Sequence, residues 1–171
     1  MPTPQFLLYV DARHSSPYAM STYVALVENA VPFELRHIDL PSDEARADNY
    51  AQRSLTCRVP MLSHGNYPLS ESSAIAEYLD ELLPPPGYRA LYPSSICERA
   101  RARLCGVAEQ LLTGSMGTLF DEWSIADTDL ALMLQRLLNN GHVMPERLAS
   151  YARGQWQRPA VQAWLALPRS D

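Results

Sequence analysis

The chain opens on an unbroken apolar run, Phe6-Leu7-Leu8-Tyr9-Val10. Continuity over strand length, without alternation, predicts a strand covered on both faces. Asp11 to Ser16 is polar and reads as a loop. The period then changes. Met20, Tyr23, Val24, Val27 and Val31 recur at helical spacing behind Ser16-Pro17, with a hydroxyl at the N-cap and proline in the first turn. Asn29-Ala30 and Pro32 end that helix. Phe33 to Leu40 alternates between apolar and polar residues, as a strand with one solvated face does. Strand, helix and strand in this order predict a right-handed βαβ unit with parallel strands.

Ala45 to Arg53 is polar and weakly periodic, a short helix. Met61-Leu62-Ser63-His64 and Tyr67-Pro68-Leu69 flank the turn pair Gly65-Asn66 and predict a hairpin. Pro68 has no amide to donate, so the returning strand is expected to be an edge strand or a very short one. Ser70 or Ser72 can cap the next helix, whose stripe is Ile75, Leu79 and Leu82, widened by Tyr78 and Leu83. Pro84-Pro85-Pro86 stops it. The order β-α-β-α-β-β-α is that of a thioredoxin-like domain.

Beyond it the strand signals cease. Ser94 to Leu112 reads as one helix weakened by Gly106, and Thr113 to Thr118 as a loop. Ser124-Ile125-Ala126-Asp127 is a capping box ahead of a helix carrying Ile125, Leu130, Leu132, Met133, Leu134, Leu137 and Leu138, apolar on most sides and therefore expected to be buried. Asn139-Asn140-Gly141 ends it. Pro145–Arg153 and Pro159–Leu167 are shorter helices, which Trp156 and Trp164 should anchor to the core. The pattern predicts a thioredoxin-like domain over 1–83, a stiff proline-rich linker over 84–93 and an all-helical domain over 94–171.

The composition is that of a globular protein of 171 residues, 47% hydrophobic and 19% charged. A net charge of −5 gives no electrostatic case for nucleic acid or an anionic membrane. No apolar run reaches the roughly 20 residues of a membrane span, and no basic start precedes an apolar core, so the cytoplasm is the expected location. Cys57, Cys97 and Cys105 are three in number, widely spaced and without a Cys-x-x-Cys, so nothing supports a disulfide framework, a zinc ribbon or a dithiol motif. His14, His37, His64 and His142 are scattered without metal-ligand spacing, and no metal is expected.

Candidate chemistry gathers at the turn after the hairpin. Glu71 and Ser72 lie beside the free amides of a helix start, which favour an anion, while Glu71 can accept from an ammonium group. That pairing suits an amino-acid-like ligand. The competing reading makes both residues plain helix caps. The joint pattern Val59-Pro60-x-Leu62 and Leu69-x-Glu71-Ser72-x-Ala74-Ile75-x-x-Tyr78-Leu79 resembles the glutathione site of the cytosolic glutathione transferase family, over most of 5–83 and again over 121–167. The resemblance implies a cis Pro60, with the backbone of Val59 pairing with the cysteinyl part of glutathione, and Glu71 and Ser72 holding its γ-glutamyl end.

Ser16, followed by Pro17 and Tyr18, matches the catalytic position of serine- and cysteine-type members. A free thiol is mostly protonated at neutral pH, and a hydroxyl donor at the positive end of a helix would favour its thiolate. The alternatives are a plain N-cap at Ser16 and Ser15 as the nearest substitute. Tyr9 and Tyr18 read as packing, Cys57 lacks an activating neighbour, and Asp127 is structural through its capping box with Ser124. The family also implies glutathione as co-substrate, a small electrophile or peroxide as second substrate, and a homodimer. One departure stands out: between Pro93 and Ser124 there is room for only one helix where the family has a long antiparallel pair, so the helical domain is about one helix short. The missing segment, either deleted or left out, would line the pocket for the second substrate and supply part of the dimer surface. Two classes of function follow: a glutathione transferase acting by conjugation or by peroxide or disulfide reduction, and a non-catalytic binding or scaffold protein with the same fold.

Overall fold

The computed structural model of the chain describes residues 6–39, 48–54, 56–102, 117–120 and 122–169. The strands are β1 (Phe6–Asp11), β2 (Phe33–Ile38), β3 (Met61–His64) and β4 (Tyr67–Ser70). The helices are α1 (Pro17–Glu28), α2 (Asp48–Ala51), α3 (Ser72–Leu82), α4 (Ile96–Ala102), α5 (Ile125–Asn139), α6 (Glu146–Trp156) and α7 (Pro159–Leu165). The expected helix over 94–112 is described only at α4. Its remainder, Gly106, Cys105, most of the following loop and the segment expected to be one helix short lie outside the described residues.

The four-stranded sheet has the order β2-β1-β3-β4. β1 runs parallel to β2 and antiparallel to β3, and β4 returns along β3 as an edge strand with Pro68 opposite Ser63. This mixed sheet with its helices is a thioredoxin-like domain, and the elements after it are all helical. β1 departs from the double coverage expected of it. Phe6, Leu8 and Val10 are buried, whereas Leu7 and Tyr9 stay half-buried. On that second face Tyr9 meets the ring of Tyr50 at 5.5 Å and the Arg53 guanidinium at 6.0 Å, a thin cover from the α2 region.

α1 is the spine of the molecule. Its apolar stripe predicted one buried face, yet every residue from Ala19 to Leu26 is buried, Ser21 and Thr22 included. The reason is tertiary: α3 packs on it from the sheet domain and α5 and α7 pack on it from the helical part. α5 departs in the other direction. Met133 and Leu137, one turn apart, remain 54% and 44% exposed, while α1 and α6 cover the other sides.

Local ties join the halves. Asp80, buried in α3, accepts from the amides of Leu91 and Tyr92 and pairs with Arg99 of α4, which seats Leu91 and Tyr92 of the proline-rich segment in the core. Arg89 and Arg158 lie over the Trp123 ring at 4.9 and 4.6 Å and both pair with Glu28 at the end of α1. Trp164 of α7 is buried against Tyr23, and Trp156 packs half-buried on the same core.

Candidate functional site at one end of the sheet

Strand register brings the site segments to one edge. Met61, the first residue of β3, pairs with Tyr9 near the end of β1 and with Ser70 at the end of β4. The loop Asp11–Ser16 leaving β1, the Val59–Pro60 entry to β3 and the Glu71–Ser72 exit from β4 therefore leave the sheet at the same end. The Val59–Pro60 bond is cis, and both residues are buried. A second cis bond, Pro85–Pro86, had no counterpart among the sequence expectations.

Among the described residues the non-glycine positions with positive φ are His14, Ala30, Cys57 and Glu71; His14 and Glu71 stand in these segments, and Cys57 lies two residues before Val59. Such conformations cost roughly 1–3 kcal/mol each where Cβ crowds the backbone, and they persist only where the surroundings impose them. Glu71 is the clearest case. It occupies the N-cap position of α3 at φ 74 and ψ 121 and makes no side-chain cap hydrogen bond. The expected cap by Ser70 or Ser72 is therefore corrected, because the helix starts at Ser72 itself and the turn places Glu71 in the cap position. The exposed Glu71 carboxylate has no hydrogen-bond partner among the described residues, so the plain-cap reading of Glu71 and Ser72 finds no support.

The serine loop is held by Asp11, a residue the sequence reading passed over as part of a polar loop. Asp11 is 4% exposed. Its Oδ2 accepts from the Ser15 amide at 2.7 Å and the Ser15 hydroxyl at 2.8 Å, and its Oδ1 accepts from the Ser16 amide at 3.1 Å. Burial alone would raise its carboxyl, but these donors outweigh burial and hold it below the ordinary carboxylate range. Ser16 is the N-cap of α1, and its Oγ accepts from the Ala19 amide at 3.2 Å. Between the loops, the Tyr50 hydroxyl donates to the Arg58 carbonyl at 2.8 Å, and Ser54 and Ser70 hydroxyls meet at 3.4 Å. Burial pushes the Tyr50 phenol up to about 12, so it remains a neutral donor.

Ser72 also lines a cleft of about 370 Å³ between the sheet domain and the helices, together with Tyr92, Ala102, Ile125 and Asp129. Burial pushes the half-buried Asp129 carboxyl up to about 6, with the Ser21 hydroxyl of α1 pulling the other way. Asp127, two residues earlier, is fully buried. It accepts from the amides of Leu119 and Ser124 at 2.7 and 2.8 Å and from the Tyr151 hydroxyl at 2.8 Å. Every one of its contacts is internal, which is the structural role its capping box predicts. The histidines are not all solitary: His14, buried, meets His37 at 2.9 Å between Nε2 atoms and lies edge-on to Trp164 at 5.1 Å.

Comparison with known proteins places the sequence and fold in one family. Residues 7–81 fit the family description "Glutathione S-transferase, N-terminal domain", and residues 93–170 fit "Glutathione S-transferase, C-terminal domain". A glutathione transferase homolog from Burkholderia gl BGR1, solved with bound glutathione, shares 39% identity at a TM-score of 0.84, covering 94% of this chain and 96% of that one.

The chain belongs to the glutathione S-transferase family. Among curated relatives, human glutathione S-transferase theta-1 is 37% identical over 94 residues, 55% of this chain and 38% of that protein. Mouse theta-3 is 35% identical over 94 residues, 55% of this chain and 37% of that protein. The matched part of the chain thus spans under two fifths of the length of these curated transferases. A zeta-class bacterial glutathione transferase, maleyl pyruvate isomerase, shares the fold at a TM-score of 0.81, 20% identity and 96% and 100% coverage of the two chains.

Proposed function

We propose that this glutathione S-transferase family chain binds glutathione across the three segments at the end of the sheet and activates its thiol for attack on a small electrophile or a peroxide. In this reading Glu71 and Ser72 hold the γ-glutamyl end, the Val59 backbone beside Pro60 pairs with the cysteinyl unit, and Ser16 faces the sulfur. The observation that carries it is the exposed Glu71 carboxylate, held by a left-handed backbone beside the amides of α3 with no partner among the described residues. A carboxylate placed so offers itself to an ammonium group from outside. The relative of 39% identity, solved with glutathione bound, supports the same ligand.

The chemistry required is thiolate stabilisation. Ser16 sits at the start of α1, where unpaired amides favour negative charge, and a hydroxyl donor there would lower the thiol pKa without losing its own proton. The thiolate then forms a bond to the electrophilic carbon of an aryl halide and halide leaves. With a peroxide it attacks one oxygen, the O–O bond breaks and the other oxygen leaves as the alcohol; the glutathione sulfenic acid formed condenses with the thiol of a second glutathione to give the disulfide and water. Retention on immobilised glutathione tests the ligand. Turnover with a halonitrobenzene and with cumene hydroperoxide then separates conjugation from reduction, and retention with neither activity identifies a binding protein. The family's homodimer and cytoplasmic location are part of this proposal, and sedimentation of the purified chain tests the first.

A further inference from the structure

Two serines stand side by side in the loop before α1, and the hydrogen bonds around them make them chemically different. We infer that Asp11 is a positioning residue that engages the hydroxyl of Ser15 and leaves the hydroxyl proton of Ser16 available to a ligand sulfur. The inference rests on the glutathione-activating reading and specifies which group performs it.

Held below the ordinary carboxylate range, Asp11 is ionised at neutral pH and can only accept. The 2.8 Å contact with Ser15 Oγ must therefore be a donation by the serine, and that proton is engaged inside the loop. Ser16 has the opposite arrangement. Its amide donates to Asp11 at 3.1 Å, which fixes the backbone, and its Oγ accepts from Ala19 at 3.2 Å, which fixes the oxygen. Its hydroxyl proton has no acceptor among the described residues. One carboxylate, 4% exposed at the end of β1, thus sets both serines at once. It does so without touching the reacting atoms, because its oxygens point to the loop amides.

The test is a double-mutant comparison in the full chain, with glutathione as the thiol and a halonitrobenzene as the electrophile. Ser16→Ala in the native background should cut kcat by ~10²-fold with KM for glutathione little changed. In an Asp11→Ala background the Ser15 hydroxyl is released, so the same Ser16→Ala step should cost about tenfold or less. An equal factor in both backgrounds overturns the proposal, since Asp11 then does not decide between the serines. A Ser16→Ala variant with native turnover removes the serine reading itself, and the selection by Asp11 with it, while retention on immobilised glutathione shows whether binding survives that loss. Where Asp11→Ala does not fold, the native chain decides: ultraviolet titration of the bound thiolate should show a raised thiol pKa in Ser16→Ala and an unmoved one in Ser15→Ala. Equal shifts in the two variants overturn the assignment.

Discussion

The Tyr151 hydroxyl donates to the Asp127 carboxylate at 2.8 Å, joining α6 to the first turn of α5. The same carboxylate takes the amides of Ser124 and Leu119, so one buried side chain fixes a helix start, the segment before it and the helix beside it. Burial pushes its carboxyl up, against the hydrogen bonds that favour the ionised form.

Removing Asp127 leaves those donors buried and unpaired. Asp127→Ala should lose about 2–4 kcal/mol, since each stranded buried donor costs about 1–3 kcal/mol and neighbours relax in part. The melting temperature should drop by roughly 10 °C, with native glutathione affinity in the fraction that remains folded. A variant that keeps its melting temperature but loses turnover would contradict the structural role.

Glu71→Ala should weaken glutathione binding about tenfold or more, because a hydrogen bond to a charged group is worth roughly 1.5–3 kcal/mol. Its effect on stability should be small, as the exposed carboxylate has no partner among the described residues to lose. Calorimetry showing equal affinity for the variant would remove Glu71 from the site.

His14 makes stability depend on pH. Burial lowers its pKa from the model-compound value of 6.5, His37 and Arg169 lower it further, and Asp11 and the Pro168 carbonyl oppose them. The folded state therefore binds fewer protons than the unfolded state just below pH 6.5, and its contribution is present above that pH and lost as pH falls through the folded pKa. In urea titrations between about pH 5 and 7.5 the native chain should gain stability with pH relative to His14→Gln, a difference in which the other titrating groups cancel. A variant with the native slope would place the proton uptake elsewhere.

Asp129 acts in the opposite sense. Its folded pKa of about 6 lies above the ordinary 3.8, so the folded state binds more protons between those values and stability falls as pH rises through that window. Asp129→Asn should be more stable than the native chain above pH 6 by on the order of 1–3 kcal/mol, and equal to it at about pH 4. Denaturant midpoints at the two pH values check this. A variant of lower stability at both would mean that the Ser21 contact outweighs burial.

Much of the fold is written in the sequence as local physics. The apolar run of β1, the Ser16-Pro17 start of α1, the Gly65-Asn66 hairpin, the edge position of Pro68 and the Ser124–Asp127 box each follow from neighbours within a few residues. Period, cap and turn chemistry act at that range. The candidate residues Ser16, Val59, Pro60, Glu71 and Ser72 were legible as a motif, since their types and spacing lie along the chain.

What the tertiary structure decided is which groups are buried and which donors are already engaged. The burial of α1 on every side from Ala19 to Leu26 depends on α5 and α7 arriving from beyond residue 120, and the exposure of Met133 and Leu137 on what packs around α5. His14 meets His37 from a distant strand, and Asp80 reaches across to Leu91 and Arg99. Glu71 has a left-handed backbone because the register of β3 and β4 fixes where the chain must turn into α3, not because of its residue type. Asp11 is close to the serines in sequence, yet its role depends on the loop geometry that aims three donors at it. Local pattern determines elements because their energies are short-ranged; hydrogen-bond direction, desolvation and protonation depend on the whole surrounding shell, which exists only once the chain has folded.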